Sequence, residues 1–115
     1  MQPRTLDSPR GRRRTDQLFD VLADPYRRIV LSRLFEHDEP MSVDVLAAEV
    51  AEATESWGAG APAGDSRRIA VRLHHVHLPK LAAAGLVERD DGVVRPTERA
   101  AEVRPLVDWA EEFPD

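Results

Sequence analysis

The chain has 115 residues, contains no cysteine and carries 16 basic and 21 acidic side chains, so its net charge is −5. This length fits one small domain, and the absence of cysteine excludes disulfides, thiolate catalysis and cysteine-based metal sites. No apolar run approaches the roughly 18 residues that a membrane span needs. We therefore expect a cytoplasmic protein without a membrane partner.

Charge is distributed unevenly along the chain. Residues 1–14 contain five Arg and one Asp, a net charge of +4, whereas residues 15–115 hold the other 11 basic and 20 acidic residues, a net charge of −9. We predict that residues 1–14 form a disordered basic arm and that residues 15–115 form the folded domain. The acidic excess, with Lys80 as the only lysine, favours a halophilic protein.

The first half of the domain predicts three helices. Apolar residues recur at helical spacing over residues 16–22, 26–37 and 43–52. Asp24 followed by Pro25 ends the first helix and begins the second, because Asp caps a helix N-terminus and Pro suits the first helical position. Ser42 is the expected N-cap of the third helix.

A longer fourth helix is predicted over residues 67–84. Its buried side is predicted from four apolar residues, Ile69, Leu73, Val76 and Leu81. Pro79 lies inside this helix and removes the backbone donor to the carbonyl of His75, which predicts a kink or a broken turn. Gly85 is expected to end the helix in a left-handed conformation.

The end of the chain predicts a β-hairpin and a last helix. Residues 86–95 form two short strands around Asp91-Gly92, a favoured hairpin turn. Thr97 caps a final helical segment that ends near Phe113, and Pro105 either kinks this segment or starts a second short helix. The predicted fold class is mainly α with a small β-hairpin wing, which is the element order of a winged helix-turn-helix.

Two segments carry a resemblance to a known family. The segment from Leu22 to Leu31, LADPYRRIVL, resembles the opening of ArsR-like winged-helix regulators, and the segment from His74 to Val87, HHVHLPKLAAAGLV, resembles a haloarchaeal branch of that group. The resemblance covers roughly residues 16–97. It implies a DNA-binding fold and a homodimer paired through the first and last helices. The connection before the fourth helix is longer than in that group, and the cysteine motifs of its metal sensors are missing.

Double-stranded DNA is the expected partner. Helix 67–84 is the predicted recognition helix, because Arg68, Arg72 and His75 follow a spacing of i, i+4 and i+7 on its exposed side. Arg67 lies near the start of this helix. The predicted phosphate contacts are Lys80, Arg89 and Arg95, and the predicted minor-groove or nonspecific contacts of the arm are Arg12, Arg13 and Arg14. The alternative is a solvated face whose arginines form salt bridges.

The sequence favours neither an enzyme nor a cofactor. None of its serines lies in a nucleophile elbow, and no glycine-rich loop follows a strand. His74 and His77 are spaced i, i+3 and could hold a metal ion together with Asp90. The alternative for both histidines is a place beside the core or a hydrogen bond to the second helix. We expect no metal.

The apolar stripe of the last helix predicts a dimer interface together with the first helix. Its residues are Leu18, Val103, Leu106, Trp109 and Phe113. The alternative is that this stripe covers the core of the same chain. Three functions therefore remain open at this point. They are a DNA-binding transcription regulator, a winged-helix interaction module without DNA binding, and a metal-responsive regulator that uses His74 and His77.

Overall fold

The computed structural model describes residues 9–55 and 66–112, with the side chains of residues 16–55 and 66–109. The helices in these ranges are α1 (Pro9–Leu22), α2 (Pro25–His37), α3 (Val43–Thr54), α4 (Ser66–Arg72), α5 (Leu78–Ala83) and α6 (Glu98–Glu112). The strands are β1 (Met41–Ser42), β2 (Val87–Asp90) and β3 (Val93–Pro96). One π-helical turn, Leu73–His77, joins α4 to α5. No helix in the described ranges is both long and apolar enough to cross a membrane.

Helix α1 begins earlier than predicted. The sequence places its start near Asp16 and assigns residues 1–14 to a disordered arm, but the helix begins at Pro9. Pro suits the first turn of a helix and Arg has a high helix propensity, so the helix extends beyond its apolar stripe despite Gly11. The predicted boundary of the arm was therefore wrong for residues 9–14, and residues 1–8 lie outside the described part of the chain.

The predicted starts of α2 and α3 are confirmed. The Asp24 carboxylate accepts a hydrogen bond from the backbone N–H of Tyr26 at 2.8 Å, and Pro25 is the first residue of α2. The Ser42 hydroxyl accepts from the backbone N–H of Val45 at 3.1 Å at the start of α3. Each cap satisfies a backbone donor that the first helical turn leaves without a partner.

The sheet contains the predicted hairpin and one additional strand. Strands β2 and β3 are antiparallel around Asp91 and Gly92, whose φ angles of 56° and 83° are those of a type I′ turn. Strand β1 pairs with the other side of β3, so the order is β1-β3-β2. A strand of two residues is too short to show the alternation by which strands are predicted.

Gly85 connects the end of α5 to the wing. Its φ of 79° lies in the left-handed region, and its N–H donates to the carbonyl of Ala82 while the N–H of Leu86 donates to Leu81. These two bonds form the Schellman motif that ends many helices. The Thr97 hydroxyl donates to the Gly85 carbonyl at 2.6 Å and accepts from the N–H of Ala100 at 3.1 Å. Thr97 therefore caps α6, as predicted, and also fixes α6 against the end of α5.

Helix α6 continues through Pro105 without a second start. Proline has no N–H, so the carbonyl of Ala101 loses its helical donor. Both residues are exposed, and water can bond this carbonyl instead. The helix is described as far as Glu112, and the predicted end at Phe113 lies outside the described residues.

One apolar core joins the helices to the sheet. Helix α3 packs against α4, α6 packs against α2, and α5 contacts β2. Both the helices and the sheet contribute to the largest fully buried apolar side chains, which are Leu31, Leu34, Leu46, Leu73, Leu78, Leu81, Leu86, Val30, Val50, Val94 and Val107. The fold is mainly α with a small antiparallel sheet, an α+β arrangement that corresponds to a winged helix-turn-helix. The long helical segment of residues 66–83 lies between the core and solvent.

Candidate nucleic-acid interface

The segment from α4 to α5 buries one face and exposes a basic one. Ile69 and Leu73 point into the core, whereas Arg67, Arg68 and Arg72 are exposed. Arg68 and Arg72 are four residues apart and share one face of the helix, and Arg67 lies next to Arg68, so the three arginines form a basic surface on α4. Like the other predicted contacts on the helical segment and the wing (His75, Lys80, Arg89 and Arg95), these three residues are exposed, as contact with a large partner requires.

Val71 lies in the middle of this basic surface and was not predicted as part of it. Its side chain is 57% exposed, although a branched apolar residue on a helix is usually turned toward the core. Arg67 and Arg68 precede it by one helical turn, and His74 and His75 follow it by one turn. Its position out of phase with Ile69 and Leu73 is the signal in the sequence that would have identified it.

The π-helical turn alters the positions of the residues that follow α4. The N–H of Leu78 donates to the carbonyl of Leu73, five residues earlier instead of four. One additional residue in a turn rotates everything beyond it by about 100° relative to an uninterrupted α-helix. His75 lies within this turn and Lys80 lies beyond it, and both side chains are exposed. The turn therefore changes the direction of Lys80 relative to α4, whereas the grouping of His75 with Arg68 and Arg72 stays a prediction.

A hydrogen bond joins the wing to the helical segment. The Arg89 guanidinium donates to Nδ1 of His74 at 2.9 Å, and both side chains are exposed. A guanidinium has no acceptor, so Nδ1 is unprotonated and the imidazole proton resides on Nε2. Arg89 is thus held beside the helix, as a wing contact requires. Arg89 was predicted as a phosphate contact, but its bond to His74 was not predicted.

Arg95 lies on the other face of the hairpin. In the register of β2 and β3, Arg89 is opposite Val94, whereas Arg95 is opposite Glu88. Opposed residues share a face and neighbours along a strand alternate between faces, so Arg89 and Arg95 point in opposite directions. Glu88, Asp90 and Asp91 are also exposed on the hairpin. The basic character of the wing is therefore confined to the face of Arg89.

His77 is a core histidine. It is 3% exposed, its ring stacks on Tyr26 at a centroid distance of 5.9 Å, and its Nδ1 accepts from the Arg27 guanidinium at 3.3 Å. Burial lowers the pKa of His77 from its ordinary value, Asp24 opposes this shift, and the positive charges of Arg27, Arg72 and Lys80 strengthen it. His77 is therefore neutral and belongs to the contact between α2 and the π-helical turn.

The two histidines of the metal hypothesis have different surroundings. His74 is exposed and bonded to Arg89, whereas His77 is buried against Arg27. Among the described side chains of residues 16–55 and 66–109, no three from His, Asp or Glu converge as a metal site would require. For His77, the alternative place beside the core with a hydrogen bond to the second helix is confirmed.

The predicted dimer residues divide into two groups. Leu18 and Val103 are half-buried and pack against the core of the same chain, so their part in a dimer interface stays a prediction. Leu106 and Trp109 are 41% and 60% exposed, and Phe19, which was not predicted, is 60% exposed. These three side chains line one apolar groove of 320 Å³ between α1 and α6. Phe113 lies outside the described residues.

The basic residues of the N-terminal arm fall on α1. The backbone of Arg12, Arg13 and Arg14 is helical, and their side chains lie outside the described part of the structure. A helix is too wide to enter a minor groove of about 6 Å, so only the side chains could reach into it, and the predicted minor-groove or nonspecific contact of these arginines stays a prediction.

Together, the fold and this exposed helix define a winged helix-turn-helix protein. The chain belongs to the family described as "Domain of unknown function (DUF7344)", whose model matches residues 19–95. The match spans α2, α3, the whole segment from α4 to α5 and most of the wing. A comparison with curated proteins found no significant match, and a comparison with solved structures found none either.

Proposed function

We propose that this protein is a DNA-binding transcription regulator of the winged-helix class, related to ArsR-like regulators and located in the cytoplasm. The observation that carries the proposal is the exposed surface of Arg67, Arg68, Val71 and Arg72 beside a wing that His74 holds through Arg89. A convex helix with an adjacent hairpin fits a major groove and its flanking backbone. In this proposal the protein is a binding protein without catalytic activity.

The composition of the surface matches the chemistry of base edges. Arginine forms paired hydrogen bonds with guanine O6 and N7 and also binds phosphate, and an apolar side chain contacts the thymine methyl group. We assign Arg68 and Arg72 to base edges or phosphates and Val71 to a thymine methyl group. Lys80 and Arg89 then bind the backbone on either side of the helix.

The acidic charge of the domain is compatible with this function at high salt. Phosphate repulsion weakens with salt, because the screening length is about 3 Å at 1 M ionic strength. Hydrogen bonds and local arginine contacts then determine binding, whereas the acidic side of the wing, with Glu88 and Asp90, stays away from the backbone. Arg95, opposite Glu88, is correspondingly a weaker candidate for phosphate contact than Arg89.

We also propose that the regulator is a homodimer. The groove with Phe19, Leu106 and Trp109 exposes three large apolar side chains on two neighbouring helices. Contiguous exposed apolar surface is unusual on a monomer and is typical of interaction sites. A second copy that presents the same groove would cover it, as most soluble homodimers do with self-complementary surfaces.

The test is selection of bound sequences from a random double-stranded DNA library in 1 M KCl. We expect one enriched site, and the double variant Arg68→Ala with Arg72→Ala should bind it about 10–100-fold more weakly, the effect of losing at least one paired contact. The double variant Arg33→Ala with Arg104→Ala removes equal charge from α2 and α6 and should bind as the wild type does. Without an enriched site, the winged-helix interaction module becomes the better hypothesis.

A further inference from the structure

A cavity of 210 Å³ lies between the start of α2 and the inner edge of the basic surface. The described residues that line it are Tyr26, Arg68, Ile69, Arg72 and His77. The stacked rings of Tyr26 and His77 and the side chain of Ile69 provide flat, apolar walls. Ligand pockets are mostly apolar with a few polar groups, and this cavity has that composition.

The polar groups of the cavity are positive. Arg68 and Arg72 are four residues apart on α4, and both line the cavity. Among the described residues, no carboxylate lies within ion-pair distance of Arg72. Among the residues that the structure describes, Arg27, Arg72 and Lys80 place positive charge near the His77 ring, and Asp24 opposes them. The cavity therefore favours an anion over a neutral or cationic molecule.

His77 adds a polar atom without a partner. Its Nδ1 accepts from Arg27, so the proton lies on Nε2. Nε2 is buried and has no hydrogen-bond partner among the described residues. A buried donor without an acceptor is rare in proteins, and one common explanation is a missing ligand or solvent molecule. The ring that carries this atom forms one wall of the cavity.

We propose that this cavity binds a small aromatic carboxylate of the size of benzoate. The aromatic ring lies against the flat walls, and the carboxylate accepts hydrogen bonds from the guanidinium of Arg72, the geometry in which arginine binds carboxylates most strongly. The volume is below the ~300 Å³ of the smallest sites for drug-sized ligands, so the ligand has one ring. A purely inorganic anion would leave the apolar walls uncovered.

Because the cavity adjoins the basic surface, a bound ligand would regulate DNA binding. This step rests on the proposed function. Arg68 and Arg72 line the cavity and also belong to the basic surface. A carboxylate bound to Arg72 neutralises its charge and turns its donors away from DNA. The ligand and DNA therefore compete, and each lowers the affinity for the other by the same factor.

The binding test uses the full chain without DNA. Benzoate is titrated calorimetrically, with acetate and benzamide as probes that retain only the charge or only the ring. We expect saturable binding of benzoate with a dissociation constant of about 1 mM or below, as its roughly nine non-hydrogen atoms allow. Acetate and benzamide should bind at least tenfold more weakly.

Two variants locate the site. Arg72→Gln should weaken benzoate binding at least tenfold, whereas Arg95→Gln, an equal change of charge on the outer face of the wing, should leave it unchanged. The imidazole Nε2 resonance of His77 should shift during the titration in the wild type. Equal binding of acetate and benzoate, an unshifted His77 resonance, or equal affinity of wild type and Arg72→Gln would each overturn the proposal.

The link to DNA is measured separately. Benzoate is added to the complex with the selected DNA site, and we expect at least a tenfold loss of DNA affinity at saturation. If benzoate binds but no DNA site is enriched, the cavity assignment stands and the proposed regulator fails. If DNA is bound and benzoate is not, the regulator stands and the cavity assignment fails.

Discussion

Arg27 and His77 form a buried polar contact between α2 and the π-helical turn. Arg27 is 7% exposed, and its guanidinium donates to the carbonyl of Val21 at 2.7 Å and to Nδ1 of His77 at 3.3 Å. The carbonyl oxygen belongs to the last turn of α1, so one arginine holds three elements together. A buried guanidinium is stable only when its donors are satisfied, and removal of one acceptor costs about 1–3 kcal/mol.

The neutral state of His77 predicts a specific pH dependence of stability. The pKa of His77 is lowered below its ordinary value of 6.5 in the folded chain, mainly by burial. Below pH 6.5 the unfolded chain therefore binds more protons at this site than the folded chain, so the free energy of unfolding falls as the pH falls. The slope reaches at most about 1.4 kcal/mol per pH unit and levels off below the lowered pKa.

The measurement compares wild type with His77→Gln by denaturant unfolding between pH 7.5 and pH 5. Glutamine keeps an acceptor for Arg27 but does not titrate. The stability difference between the two proteins should shrink as the pH falls, because the other charges near this site, Asp24, Arg27, Arg72 and Lys80, are present in both. Parallel curves would show that His77 keeps its ordinary pKa.

At the scale of elements, the disturbance at Pro79 was predictable but its form was not. Proline removes one donor, and a kink, a break or a wide turn can each accommodate this loss. The π-helical turn keeps Leu73, His77 and Leu78 buried together, so tertiary contacts select it. Neither the periodicity of the sequence nor helix propensity contains those contacts.

In the candidate interface, too, some features follow from the sequence pattern and others depend on tertiary contacts. The exposure of Arg68 and Arg72 was predictable, because an amphipathic helix turns its basic residues away from its apolar stripe. The bond from Arg89 to His74 joins residues of two elements and depends on how the hairpin folds back toward the helix. The opposite orientation of Arg95 was predictable from the two-residue turn at Asp91-Gly92, which sets the register of the hairpin, together with strand alternation.

Replacing Gly85, which ends α5, should cost more stability than replacing Gly92 in the turn of the hairpin. Gly85 and Gly92 both have positive φ angles of about 80°, which cost an L-amino acid roughly 1–2 kcal/mol. An added Cβ at Gly85 would lie 3.3 Å from Cδ of Arg99, whereas at Gly92 it would meet nothing within 4 Å. We expect Gly85→Ala to lower the free energy of unfolding by about 1–2 kcal/mol or more and Gly92→Ala to lower it less. Equal losses in denaturant unfolding would show that the contact with Arg99 relaxes at no cost.

The whole molecule carries a net negative charge, and its described residues form an apolar groove between α1 and α6. Its net charge of −5 keeps copies apart at low salt, whereas the groove of Phe19, Leu106 and Trp109 favours their association. Salt screens the charge repulsion between copies far more than it weakens their association through the groove, since apolar burial does not depend on charge. Dimer formation should therefore strengthen as the salt concentration rises.

A charge placed in the groove should separate the subunits. In 1 M KCl we expect light scattering to give the wild type twice the chain mass of 12.9 kDa. The variant Leu106→Glu should have the mass of one chain, because burying an unpaired carboxylate in the dimer interface costs several kcal/mol. Val45→Glu is the matched control, since Val45 is a comparably exposed apolar residue (51%) on α3, outside the groove, and this variant should remain a dimer. A wild type with the mass of a single chain at every protein concentration would instead mean that the groove serves a different partner.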